Sequence, residues 1–195
     1  MRRHLIAAAL LLAAAAPPPA AKPTPDTRGE TTPAQDAAQD LMLVYEDVCL
    51  NHFPNPASIR AAADDAHATP LTDAEAHDVL MGHAGTAWAF NAPHVHAVVA
   101  VDTPPSRTCV VTGKAAEDSG VQAVFDLMVT TATKTLDYGD LVKPPLRQGA
   151  VGGHAASIQL IGATPGGAKR QAFINMGVAN ADGSTQLRLT REVAP

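Results

Sequence analysis

Eight histidines stand in a chain of 195 residues of which only 17% are charged, and their spacing is its first chemical feature. His94-Val95-His96 is the best pair. On a strand, residues i and i+2 point to one side, close enough to share a metal ion. A pair is still one or two ligands short of a site. His52, His77, His83 or His154 could add an imidazole and Asp102 a carboxylate, but no His-Glu-x-x-His or Cys/His spacing selects among them. The competing reading puts both imidazoles on a solvent face or beside Asn91, bonded to water or backbone. Other chemistry has less footing. Ser106, Ser119, Ser157 and Ser184 have no Gly-x-Ser-x-Gly elbow and no neighbouring His and acid that the sequence can pair with them. Gly152-Gly153-His154 reads as a loop, and Gly82, Gly85 and Gly113 do not form a phosphate loop. The acidic pairs Asp64-Asp65 and Glu117-Asp118 fall at helix ends, where water or a helix dipole accounts for them.

The two cysteines, Cys49 and Cys109, gain meaning from the N-terminus. Arg2 and Arg3, an apolar run from Leu5 to Ala16, then small residues and prolines have the layout of a bacterial secretory signal peptide, expected over residues 1–21. About a dozen apolar residues are too few for a helix to cross a bilayer, which needs about 20. Cleavage is expected after Ala15 or Ala21, by the general secretory route, and no Cys lies near enough to accept a lipid. The product is a soluble periplasmic or secreted protein without a stable membrane anchor. In that oxidising compartment the two cysteines are expected to pair, against the alternatives of two buried thiols or a thiolate nucleophile. The formal charge of −5 becomes about −7 once Arg2 and Arg3 are lost, and without a Lys/Arg run nucleic acid is excluded as a partner.

Residues 22–33, rich in Pro and Thr, read as a flexible linker, and 34–195 as a single α+β domain. Thr32 and Pro33 start a helix with Leu41, Val44, Tyr45 and Val48 on one face, with Cys49 on the same side, ending near Phe53-Pro54. Asn55-Pro56 starts a second helix, with Ile59, Ala62, Ala63 and Ala66 as its stripe, and Thr72 with Glu75 forms the capping box of a third. Strands follow over 86–91, 95–102 and 107–112. Asp118 or Ser119 caps a fourth helix with an inward face of Val121, Val124, Phe125, Met128 and Ala132. Residues 137–153, with Pro144-Pro145 and glycines, read as a connection. Strands over 155–162, 171–179 and 185–193 close the chain through hairpins at Thr164-Pro165-Gly166-Gly167 and Asp182-Gly183. The expected architecture is N-terminal helices plus an antiparallel sheet of about six strands, in two helix-plus-three-strand units.

The run Val48-Cys49-Leu50-Asn51-His52-Phe53-Pro54-Asn55-Pro56, the alanine-rich helix after it, Ala87-Trp88 and Thr108-Cys109-Val110-Val111 together resemble small exported proteobacterial proteins with a Cys…Phe-Pro…Trp…Cys framework. The likeness covers Leu41 to Gly113 and implies a secreted α+β domain with one disulfide; it carries no activity to any residue. Phe53-Pro54 and Trp88 are expected to pack around the disulfide. The functional expectation is a non-enzymatic envelope protein, without a cofactor, that binds a protein or small ligand through the sheet face its helices leave open. The alternative is a metal-binding protein or metallohydrolase centred on His94 and His96.

Overall fold

Pro33, whose missing N–H costs nothing in a first turn, opens α1 (Pro33–Tyr45), which buries Ala37, Ala38, Leu41, Met42 and Tyr45 along one stripe. The computed structural model describes residues 33–105, 107–115, 119–135, 138–151, 153–165, 170–181 and 185–194. The expected signal peptide, the linker through Thr32 and the caps at Thr32 and Asp118 lie outside these. From Glu46 to Leu50 the helix widens into a π-turn, with Asn51 N–H donating to the Glu46 carbonyl at 3.1 Å. The wider turn lets three successive residues, Val48, Cys49 and Leu50, all face inward.

Asn55 then caps α2 (Pro56–Asp65), its Oδ1 accepting from the N–H groups of Ala57 and Ser58. Ile59, Ala62 and Ala63 are buried as the pattern predicts, but Ala66 is exposed because the helix has ended before it. α3 (Asp73–Val79) has the expected capping box: Glu75 accepts from the Thr72 backbone at 2.8 Å and hydroxyl at 2.7 Å, while Thr72 Oγ1 accepts from Glu75 N–H. These bonds from Thr72 hold the Glu75 carboxyl below its usual pKa.

The chain is an α+β domain, with four α-helices and nine strands among the described residues. The strands are β1 (Thr69–Pro70), β2 (Gly85–Asn91), β3 (His96–Asp102), β4 (Thr108–Ala115), β5 (Tyr138–Val142), β6 (Arg147–Val151), β7 (His154–Pro165), β8 (Gln171–Ala179) and β9 (Thr185–Val193); α4 (Ser119–Thr135) lies between β4 and β5. All pairings are antiparallel, in the order β1-β2-β3-β4-β9-β8-β7, with β5 and β6 both on the outer edge of β7. The two expected meanders, β2–β4 and β7–β9, are present and join through their last strands, with Cys109 opposite Arg191.

The expectation of about six strands is corrected at two places. β1 is a two-residue edge, and the segment read as a connection over 137–153 contains β5 and β6. Those two follow one another along a single edge, pairing with the C-terminal and N-terminal parts of β7 in turn. Pro144-Pro145 separates them, because a proline has no N–H to give a ladder and is tolerated only at a sheet edge. The inward stripe of α4 is also corrected: Val121, Phe125, Val129 and Thr133 are buried at successive i+4 positions, Met128 and Ala132 partly, and Val124 is 48% exposed.

One sheet face carries the main core. Trp88, Phe90, Val99, Val111, Phe173 and Leu189 pack there with residues of α1, the π-turn, α2 and α4. At Gly113, a Cβ would come within 2.8 Å of Leu41, so the bare backbone lets α1 lie close on β4. α3 lies on the opposite, outer face, where Ala76 and Leu80 pack with Ala87, Ala100 and Val110. Gly85 has no room for a Cβ between Leu80 and the Val101 carbonyl, so it is the position that admits this helix.

Candidate binding surface

A single row of paired residues crosses the outer face: Ala87, Ala100, Val110, Thr190, Ile174 and Leu160, one from each of β2, β3, β4, β9, β8 and β7. Paired residues share a face, so the row samples one surface from end to end. Its first three members are 3%, 0% and 0% exposed beneath α3. Ile174 and Leu160 are only half-buried. In the neighbouring rows Ile158 and Met176, opposite one another, are also half-buried, as is Val178, whose partner Ala156 is buried. Ile158, Leu160, Ile174, Met176 and Val178 belong to neither buried cluster, and among the described residues α3 packs on β2 and β3, while α4 meets β7 and β8 from the core side. Val142, paired with Gly162 and 65% exposed, extends the apolar surface to the edge.

Polar groups frame this surface. Arg147 is opposite Ile158, and Arg188 is opposite Met176, so the two guanidinium-bearing positions flank the same row. Arg188 is half-buried and its Nη1 donates to the Val79 carbonyl at 2.6 Å, tying β9 to the C-terminal end of α3. Burial lowers the Arg188 pKa, and the Glu192 charge partly opposes that shift. At the other end, a concavity of about 410 Å³ is lined by Arg107, Thr108, Arg170, Ala172 and Glu192 among others.

The histidine pair lies elsewhere and is held by separate partners. β3 begins at His96, which leaves His94 in the turn before it. Asp40 of α1 takes both the backbone N–H of His94, at 2.8 Å, and its Nδ1, at 3.1 Å. His96 Nδ1 is 2.7 Å from Asn91 Oδ1. Among the described residues, no group of three or more His, Cys, Asp or Glu side chains is gathered as a metal site. Ser157 is buried, Ser106 and Ser184 lie outside the described residues, and nothing is described of the Ser119 side chain.

Cys49 and Cys109 form the disulfide, with Cα atoms 5.7 Å apart, so the free-thiol and nucleophile alternatives fall away. Beside it lies the group the sequence reading missed. Arg191 is 2% exposed, and its Nη1 donates to the carbonyls of Cys49, Leu50 and Phe53 at 2.8, 2.9 and 3.0 Å. Nε donates to Gln171 Oε1, and the guanidinium lies over the rings of Phe53 and Phe173. Carbonyl dipoles at the end of the π-turn and two aromatic faces thus replace its water. A signal was present: the alternation Leu187, Leu189, Arg191 puts the arginine on the apolar face of its strand.

No family model, curated protein or solved structure matches the chain. Among the described residues, no helix is long and apolar enough to cross a membrane. The fold and this surface define a disulfide-bonded α+β domain whose sheet, among the described residues, packs α1, α2 and α4 on one face and α3 over the first meander of the other.

Proposed function

We propose that the protein is an exported, non-enzymatic binding domain of the cell envelope that takes a protein or small ligand on the outer face of β7 and β8. The observation that carries this reading is the half-buried aliphatic surface of Ile158, Leu160, Ile174, Met176 and Val178, on the same sheet face that α3 covers a few strands away, with the polar Arg188 and Thr190 of β9 between the two. Apolar area of this kind marks contact sites in soluble proteins. Export is supported by the leader-like Met1–Ala21 and by the disulfide, which suits an oxidising compartment.

The test is photocrosslinking in cells that make the chain, with a photoreactive side chain at position 174 and a control at position 57, exposed on α2. A discrete adduct at 174 alone is expected. Labelling at neither position, or equally at both, would defeat the reading. Mass spectrometry of the periplasmic fraction should find an N-terminus between Ala16 and Lys22, and a chain retaining Met1 would remove the export part.

A further inference from the structure

We infer that the open half of the outer face receives an acidic amphipathic helix supplied by a partner protein; this rests on the binding reading above and names its partner class. The fold contains the precedent. α3 carries Asp73, Glu75 and Asp78 away from the sheet and lays Ala76 and Leu80 on the same outer face over the first meander. Arg188 of β9 donates to the carbonyl of Val79 at that helix's C-terminal end. An acidic helix held on an aliphatic sheet face by an arginine is therefore a packing this chain already makes.

The second meander offers the same elements with that place open among the described residues. Along β8, Ala172, Ile174, Met176 and Val178 lie on the outer face, a length of about 20 Å at about 3.3 Å per residue, which matches about 13 residues of helix at 1.5 Å each. Charge selects the kind of helix. Residues 33–102 hold ten Asp or Glu and one Arg, whereas residues 103–195 hold seven Asp or Glu and nine Lys or Arg. Around the open face, among the described residues, the basic positions include Arg147, Arg170, Arg188 and Lys114, and Glu192 is acidic. A helix with a basic outer face would meet these at close range, and one with an acidic face is attracted by them. A second copy stacked face to face would bring its own arginines against them.

The test uses the full exported chain and two fluorescent 14-residue peptides with the same Leu/Ala stripe, one with Glu and Asp on its other face and one with Lys and Arg. Anisotropy titration should show saturable binding of the acidic peptide, at least about tenfold tighter than the basic one and weaker at high salt. Ile174→Asp and, independently, the exposed pair Arg147→Glu with Arg170→Glu should each weaken it by about tenfold or more. Basic-peptide binding of equal strength, or acidic-peptide binding indifferent to both variants, overturns the inference. So does a dimer in sedimentation that Ile174→Asp disperses, which assigns the face to a second copy, or preferential uptake by phosphatidylglycerol vesicles, which assigns it to lipid. If neither peptide binds while position 174 still gives its adduct, the acidic helix is wrong and the binding surface stands; if the adduct is also absent, both fall.

Discussion

The first meander, β2–β4, is walled on both faces, by α1 and α2 on the core side and by α3 on the other, whereas among the described residues the second, β7–β9, is walled on the core side only, by α4 and, at β9, by α1 and the π-turn. The two have the same strand pairing and meet at β4 and β9, so the difference lies in what covers them. It appears in composition. Under α3 the outer face uses small residues, Ala87 and Ala100, which let a helix lie close. On the second meander the corresponding positions are Ile174 and Leu160, larger side chains that stand up from the sheet and offer more area to an incoming surface. A sheet face meant for water would alternate to polar residues there.

The sharpest way to break this comparison is to place a charge at matched positions of one row. Val110→Asp puts a carboxylate under α3 and should cost about 4 kcal/mol or more. Ile174→Asp, two strands away, keeps contact with water and should cost about 1 kcal/mol or less. Urea denaturation of both variants measures the gap. Equal losses would show that the second outer face is as covered as the first.

On the core side the halves are expected to behave alike, because each sends one residue to the same turn. Cys109 of β4 bonds to Cys49 covalently, and its direct neighbour Arg191 of β9 holds the carbonyls of that turn. Cys49→Ser removes a cross-link over a sequence separation of 60 residues, worth about 4 kcal/mol in the chain-entropy model, and Cys49→Ser with Cys109→Ser should be little worse. Alkylation of two thiols in the native wild type would contradict this. Arg191→Met keeps the packing volume but leaves three buried carbonyls without that donor, for an expected loss of about 3 kcal/mol. Since the two groups hold one turn, the losses should not add, and a double-mutant cycle reads the coupling.

The sequence was most legible where one rule governed one element. The Thr72–Glu75 capping box and the strands Gln171–Ala179 and Thr185–Val193 follow from local chemistry, and the pairing of the two cysteines, 60 residues apart, from their number and an expected oxidising compartment. The edge formed by β5 and β6 was hidden because its Pro144-Pro145 and glycines are loop signals that a sheet edge also tolerates. The true inward stripe of α4 ends at Thr133, a polar residue whose hydroxyl donates to the Val129 carbonyl within the helix, so hydropathy favoured Val124 instead. Period-two alternation puts Ile174 and Met176 on the face opposite to Phe173, but whether a helix covers that face is a matter of tertiary packing. A sheet face left open by the helices was the expectation, with no strand or residue of it named. His94 and His96 were legible as a pair, while the partners that hold them, Asp40 at 54 residues' separation and Asn91, are fixed by how α1 and the β2–β3 turn meet.

Tyr45 gives the finest test of the shared core side, because it leaves α1 in the first half and reaches β9 in the second. It is fully buried, its hydroxyl donates to the Thr190 carbonyl at 3.0 Å, and its ring lies 5.9 Å from that of Phe125 in α4. Tyr45→Phe keeps the ring and loses the bond, so at pH 7 a loss of about 1 kcal/mol is expected. The pH dependence separates this bond from simple packing. Burial raises the hydroxyl pKa far above its usual value, with the Arg191 charge opposing only in part. A raised folded pKa gives a stabilising contribution that is complete below the unfolded value, about 10, and is lost as pH rises above it, since only the unfolded chain can then release the proton. Wild type should therefore lose up to about 1.4 kcal/mol per pH unit from this residue above pH 10, and Tyr45→Phe should not. The deficit of the variant should shrink across that range and vanish near pH 11 in urea titrations. A deficit that stays constant from pH 7 to pH 11 would mean the hydroxyl ionises in the folded state as it does in water, and that the two halves are not sealed together at this point.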